Sequence, residues 1–183
     1  KRLLLKDLAK RFGSQYFVET GTFHGDTARY LSKNVSHVLT CEPSDLLYEK
    51  AAKRFRGYSN IQIWHAPSEE CFEQMVSLVD GPALYWLDGH FSGALTALSI
   101  HCPVLFEIEV LKSRIRAEDV IAIDDVRLFD SLINRLSKTY EEGYPNLSEV
   151  IDALAPYKDT HDLSIVGDCL VCMPANALFV PEC

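Results

Sequence analysis

Five acids stand directly behind apolar runs in this chain: Glu19 after residues 16–18, Glu42 after 38–41, Asp88 after 83–87, and Asp124 with Asp125 after 120–123. Short apolar runs bounded by turn residues read as buried strands. In a parallel sheet the carboxyl ends of all strands face one rim, so acids distant in sequence become neighbours there. Carboxylates brought together repel one another unless protons or a cation offset them. Hard oxygen donors without a sulfur or imidazole majority suit Mg²⁺ or a similar ion, which makes Asp88, Asp124 and Asp125 candidate metal ligands. The same aspartates would also serve as helix caps after strands.

Gly21 and Gly25 bracket Thr22-Phe23-His24 between the first strand and a helix that Asp26 or Thr27 would cap. Glycines at such a junction supply positive φ or let the backbone approach a ligand closely, and backbone N–H groups then face the rim of the sheet. The loop reads as a cofactor cradle, although an ordinary βα turn would use glycines in the same way. Glu42 lies about twenty residues beyond Gly21, the separation at which an acid after the second strand holds a ribose diol. Its other reading is a helix N-terminal acid before Pro43. His24 and His90 fall in the two loops that would flank a ligand, where either would act as general base near neutral pH or would simply be a polar surface residue. Phe91 is placed to pack on a flat ligand, whereas Tyr85 and Trp86 belong to the core.

The elements that must position these residues alternate regularly. Leucines at 3, 4, 5 and 8 predict a helix over residues 3–12, stopped by Gly13. Strands are expected at 16–18, 36–41, 61–64, 83–87 and 120–123. Helices are expected after Asp26, from 43 to about 56 before Gly57, from Pro67 through 78, from about 103 to 113, and over 147–154. Residues 162–166 and 169–173 flank Gly167-Asp168, a two-residue hairpin turn. Alternating units of this kind predict a parallel sheet wrapped by helices and closed by an antiparallel hairpin. The stretch 127–146 carries no clear period; Phe129, Tyr140 and Tyr144 within it would wall a pocket or belong to core or surface.

At 183 residues, with 48% hydrophobic and 24% charged residues, the chain suits a single domain spanning 1–183. A formal charge of −8 argues against a partner held by phosphate contacts, and the local bases Lys50, Lys53, Arg54 and Arg56 read as a solvated helix face. No apolar run approaches the ~20 residues of a membrane span, and the basic, amphipathic start lacks a cleavage-like pattern, so a cytoplasmic location is expected. Cys169 and Cys172 form a C-x-x-C, but strand positions three apart point to opposite faces, and no second pair completes a zinc set; free core thiols are expected.

Together, the Glu19-x-Gly21-x-x-x-Gly25 loop, Glu42, Leu87-Asp88-Gly89-His90 and Ile123-Asp124-Asp125 resemble class I S-adenosylmethionine-dependent methyltransferases. More narrowly they resemble the metal-assisted O-methyltransferases of the catechol and macrolide-sugar type. The resemblance spans residues 17–173 and implies a Rossmann-like, doubly wound, mostly parallel seven-stranded sheet with helices on both faces. It implies that Gly21 and Gly25 pass the methionine part of S-adenosylmethionine, that Glu42 holds its ribose, that Ser68 in Ala66-Pro67-Ser68 borders the adenine, and that Glu19, Thr22 and Asp88 also bind the cofactor. Asp88, Asp124 and Asp125 would match the metal-binding acids, with Asp88 and His90 as catalytic residues acting on a small hydroxylated acceptor. Phe91-Ser92-Gly93 stands where the catechol enzymes carry a lysine, and the usual acid after the third strand is absent, with Ser68 or Glu69 in its place. Two other functions share the pattern: a methyltransferase-like domain that binds cofactor or a partner without catalysis, and an NAD-dependent oxidoreductase. The second needs three glycines for its pyrophosphate, where this loop carries bulky residues.

Overall fold

Five parallel strands arise from the expected apolar runs: β1 (Tyr16–Thr20), β2 (His37–Cys41), β3 (Ile61–Trp64), β4 (Ala83–Leu87) and β5 (Val120–Ile123). The computed structural model describes residues 1–89, 102–129 and 144–175. An antiparallel pair, β6 (His161–Val166) and β7 (Cys169–Pro174), completes a seven-stranded sheet in the order β3-β2-β1-β4-β5-β7-β6. The last strand therefore inserts beside β5, with Ile121 opposite Cys172 and Ile123 opposite Leu170. Val166 pairs with Cys169 across the two-residue turn, where Gly167 takes a φ of 62°. Both inner strands of the β1–β4 pair are buried along their whole length, as a sheet covered on both faces requires.

Two apolar layers hold the sheet. On one face α1 (Arg2–Arg11), α2 (Asp26–Leu31) and α3 (Asp45–Arg54) pack Leu5, Leu8, Ala28, Leu31 and Ala51 against Phe17, Val38, Trp86 and Val171. On the other, α4 (Ser68–Ser77), α5 (Val104–Leu111) and α6 (Leu147–Leu154) pack Phe72, Met75, Ile108, Val150 and Leu154 against Val18, Tyr85, Ile121 and Cys172. The period-two alternation of each strand sends successive residues to opposite layers, so Cys169 and Cys172 separate as expected and remain free, buried thiols. Asn146 and Glu149 close a reciprocal capping box at the start of α6.

Three local expectations change. Neither Asp26 nor Thr27 caps α2; Gly25 does, with a φ of 72°, because the chain must turn through the left-handed region to enter the helix. Thr20, and not Glu19, ends β1, which draws Glu19 off the rim and into the sheet. Within the irregular stretch, Val126–Phe129 form a 3-10 turn that buries Phe129. Tyr140, His90 and Phe91 lie outside the described residues.

Candidate functional site

Convergence at the carboxyl rim begins with register. β1 pairs with β2 and β4, and β4 with β5, so Thr20, Cys41, Leu87 and Ile123 end side by side. The segments carrying Gly21, Glu42, Asp88 and Asp124 leave the sheet from these neighbouring positions.

Gly21 has a φ of 80°, and a Cβ on it would stand 2.5 Å from the carbonyl oxygen of Asp88. The glycine is therefore required twice over, by conformation and by the contact between the β1 and β4 loops. A Cβ on Gly25 would fall 2.5 Å from the Phe55 ring, so the second glycine lets the loop lie against the end of α3. Both close approaches are made to protein rather than to a ligand.

The loop amides are spent in the same way. Gly21 and Thr22 donate to the Cys41 carbonyl at 3.2 and 2.9 Å, and Gly25 donates to that of Thr22 at 2.8 Å. The Phe23 amide donates to Glu42 Oε2 at 2.7 Å. Phe23 itself has a φ of 50° and is half exposed, with the exposed His24 ring tilted against it at 4.0 Å. A pyrophosphate needs several of these N–H groups at once, so the arrangement does not suit a dinucleotide.

Glu42 bridges two elements: its other oxygen, Oε1, accepts the Ser44 amide at 3.0 Å at the start of α3. The acid thus orders a helix start and the cradle loop together, in keeping with its reading as a helix N-terminal acid. It is 2% exposed, and burial raises its pKa against the opposing pull of the two amides. Each oxygen keeps a further lone pair.

Glu19 lies beneath the loop. Thr40 Oγ1 donates to its Oε2 at 2.7 Å, and the Thr22 and Thr40 hydroxyls meet at 2.6 Å, so the chain Glu19–Thr40–Thr22 supports the cradle from below. Burial pushes the Glu19 carboxyl up to about 8, with Thr40 opposing and Glu42 adding to the rise. Ser68 is the first residue of α4 and is buried.

Asp88 follows β4, and its amide donates to Thr20 Oγ1 at 3.1 Å. Asp124 is held to the same strand by its amide on the Leu87 carbonyl at 3.1 Å. The repulsion expected among the rim acids is offset from within the chain. Lys1 Nζ stands 2.6 Å from Asp124 Oδ1 and 2.5 Å from Asp125 Oδ1, and Arg127 lies 2.6 Å from the same Asp125 oxygen while also pairing with Asp168. Among the described residues no three His, Cys, Asp or Glu side chains gather in a metal-holding group. The donor set therefore does not fit a divalent ion as it stands: two acids converge, and their shared point is taken by an ammonium group.

One acid was hidden from sequence reading. Glu107 lies within α5 on the stripe Val104, Glu107, Ile108, Leu111 that faces the sheet, and it is 1% exposed. Burial raises its carboxyl to about 7, with the Ser68 and Thr20 hydroxyls favouring the charged form. The available signal was periodicity: Glu107 is three residues after Val104 and four before Leu111, the positions of an apolar stripe.

No family model matches the chain, and no curated protein matches it either. Solved structures do. A putative caffeoyl-CoA O-methyltransferase from Staphylococcus aureus superposes with a TM-score of 0.68 at 15% identity, over 95% of this chain and 82% of that one. The O-methyltransferase TomG from Streptomyces achromogenes, solved with S-adenosylmethionine, gives 0.66 at 15% identity over 95% and 79%. An O-methyltransferase from Bacillus cereus, solved with S-adenosylhomocysteine, gives 0.65 at 15% identity over 94% and 80%. The strand order, the closing hairpin and these superpositions agree that the chain has the Rossmann-like fold of class I S-adenosylmethionine-dependent O-methyltransferases.

Proposed function

We propose that residues 1–183 form one domain that transfers the methyl group of S-adenosylmethionine to a hydroxyl of a small molecule. The observation that carries this reading is the interlocked rim: Gly21 against Asp88, and Glu42 holding both the Phe23 amide and the start of α3. The residues fit such a cofactor. Gly21, Thr22, Gly25 and Asp88 border its methionine part, Ser68 its adenine, and the unused lone pairs of Glu42 accept the ribose hydroxyls. Glu19 acts on it through Thr40 and Thr22.

When bound, the cofactor supplies an electrophilic methyl group on a sulfonium. The chain's share of the work is positional: it fixes the acceptor oxygen in line with that methyl and takes up the hydroxyl proton. His90, two residues beyond Asp88, is proposed as the proton acceptor on its place in the sequence. No step is routed through a metal, since Lys1 and Arg127 already neutralise Asp124 and Asp125. A net charge of −8 favours a small acceptor over a nucleic acid. An NAD-dependent reaction is disfavoured by the occupied loop amides. Turnover of a panel of hydroxylated small molecules with S-adenosylmethionine tests the reaction; cofactor binding without any turnover would favour a purely binding role.

A further inference from the structure

Glu107 is a buried acid that the reaction above leaves unused. For comparison, Asp119 is also buried, but its two oxygens accept the Ala83 and Arg116 amides at 2.8 Å each and so join the starts of β4 and β5. Among the described residues no backbone amide donates to Glu107 in this way. Its Oε1 has no hydrogen-bond partner among the described residues and would stand 3.1 Å from a Cβ placed on Gly89. That same Cβ would lie 3.2 Å from Thr20 Oγ1, so Gly89 is needed for the close packing of Thr20, Glu107 and the turn after β4. Leu87, Gly89, Glu107, Ile123 and Asp124 border a cavity of about 10 Å³, enough for one water.

The hydroxyls around Glu107 belong to the cradle. Thr20 Oγ1 accepts the Asp88 amide, which leaves its proton for Glu107, and the Ser68 hydroxyl, a long 3.4 Å from Glu69 Oε2, also favours the charged form of Glu107 from the start of α4. A carboxylate can accept on both of its oxygens and strengthens each bond by its charge, whereas an amide has one neutral accepting oxygen and an apolar side chain none. An apolar residue would fill this helix position at lower desolvation cost, so packing alone does not account for an acid here.

We infer that Glu107 is a positioning residue for the S-adenosyl cofactor, fixing the Asp88-Gly89 turn through Thr20 and the start of α4 through Ser68. The inference rests on the proposed function. It assigns one buried carboxyl to two ends of the same ligand: the turn that borders the methionine part and the helix start that borders the adenine.

The test is calorimetric titration of the full chain with S-adenosylhomocysteine, comparing wild type, Glu107→Gln, Thr20→Val and the double variant. Glu107→Gln should raise Kd about tenfold, the loss of one charge-assisted hydrogen bond, while the melting temperature holds or rises. Thr20→Val should cost a similar factor, and the double variant little more than either, because both act through one chain of bonds. A merely structural acid would instead lower the melting temperature and leave Kd unchanged. Wild-type affinity in Glu107→Gln, or losses that multiply in the double variant, would overturn the inference. If Glu107→Gln does not fold, Thr20→Val decides alone, and an unchanged Kd overturns it. Failure of the wild-type chain to bind overturns the proposed function itself, and this inference with it.

Discussion

A Cβ on Gly21 would stand 2.5 Å from the carbonyl oxygen of Asp88. Two loops that leave neighbouring strands, β1 and β4, are thereby in backbone contact at the rim where the cofactor is proposed to bind. Gly21→Ala combines that collision with a φ of 80°, so something must shift. The expected outcome is a loss of S-adenosylhomocysteine affinity of at least tenfold and a stability loss of about 1–3 kcal/mol, read by titration and by denaturant unfolding. Wild-type affinity in this variant would mean that the contact does not shape the site.

Glu42→Gln keeps the size of the side chain but removes half of its acceptor capacity. Because the acid already holds the Phe23 and Ser44 amides, the variant should weaken S-adenosylhomocysteine binding by about tenfold or more. An unchanged dissociation constant would remove the ribose role.

Lys1 takes the point at which Asp124 and Asp125 converge. Methyl transfer should accordingly proceed equally with Mg²⁺ and with chelator. Loss of turnover in chelator, restored by Mg²⁺, would reinstate the metal assistance that the sequence resemblance implies.

Burial raises the Glu19 carboxyl from its usual value near 4.5 to about 8. The folded chain then holds more protons than the unfolded chain between those values. Stability from this group is full below about 4.5 and is lost as pH rises through about 8. Glu19→Gln should flatten that decline, so the melting-temperature gap between variant and wild type should widen in the variant's favour from pH 5 to pH 8. A constant gap would contradict the assignment.

Much of the fold was legible because its signals are local. The runs at β4 and β5 are apolar throughout, and Gly167-Asp168 is short enough to permit only a tight turn. The rim was legible in outline, since Glu42, Asp88 and Asp124 each follow a strand. Depth was not: Glu19 looked like a rim residue, yet one further strand residue buries it beside Thr40. Partners distant in sequence were equally hidden, above all Lys1 against Asp124 and Asp125. Glu107 escaped because an acid within an apolar helix resembles a surface residue until the stripe of Val104, Ile108 and Leu111 is aligned with it. The use of the loop amides by Cys41 and Glu42 depends on β2 lying beside β1, which only the sheet order establishes.

The central claim is that the glycine loop and Glu42 hold an S-adenosyl cofactor. Its most direct test is a thermal-shift comparison of the purified chain alone, with S-adenosylhomocysteine and with NAD. At about 100 times its dissociation constant, S-adenosylhomocysteine should stabilise the fold by roughly 2.7 kcal/mol, a rise of several degrees, and NAD should produce none. No shift with S-adenosylhomocysteine, or a shift with NAD in its place, would contradict the claim.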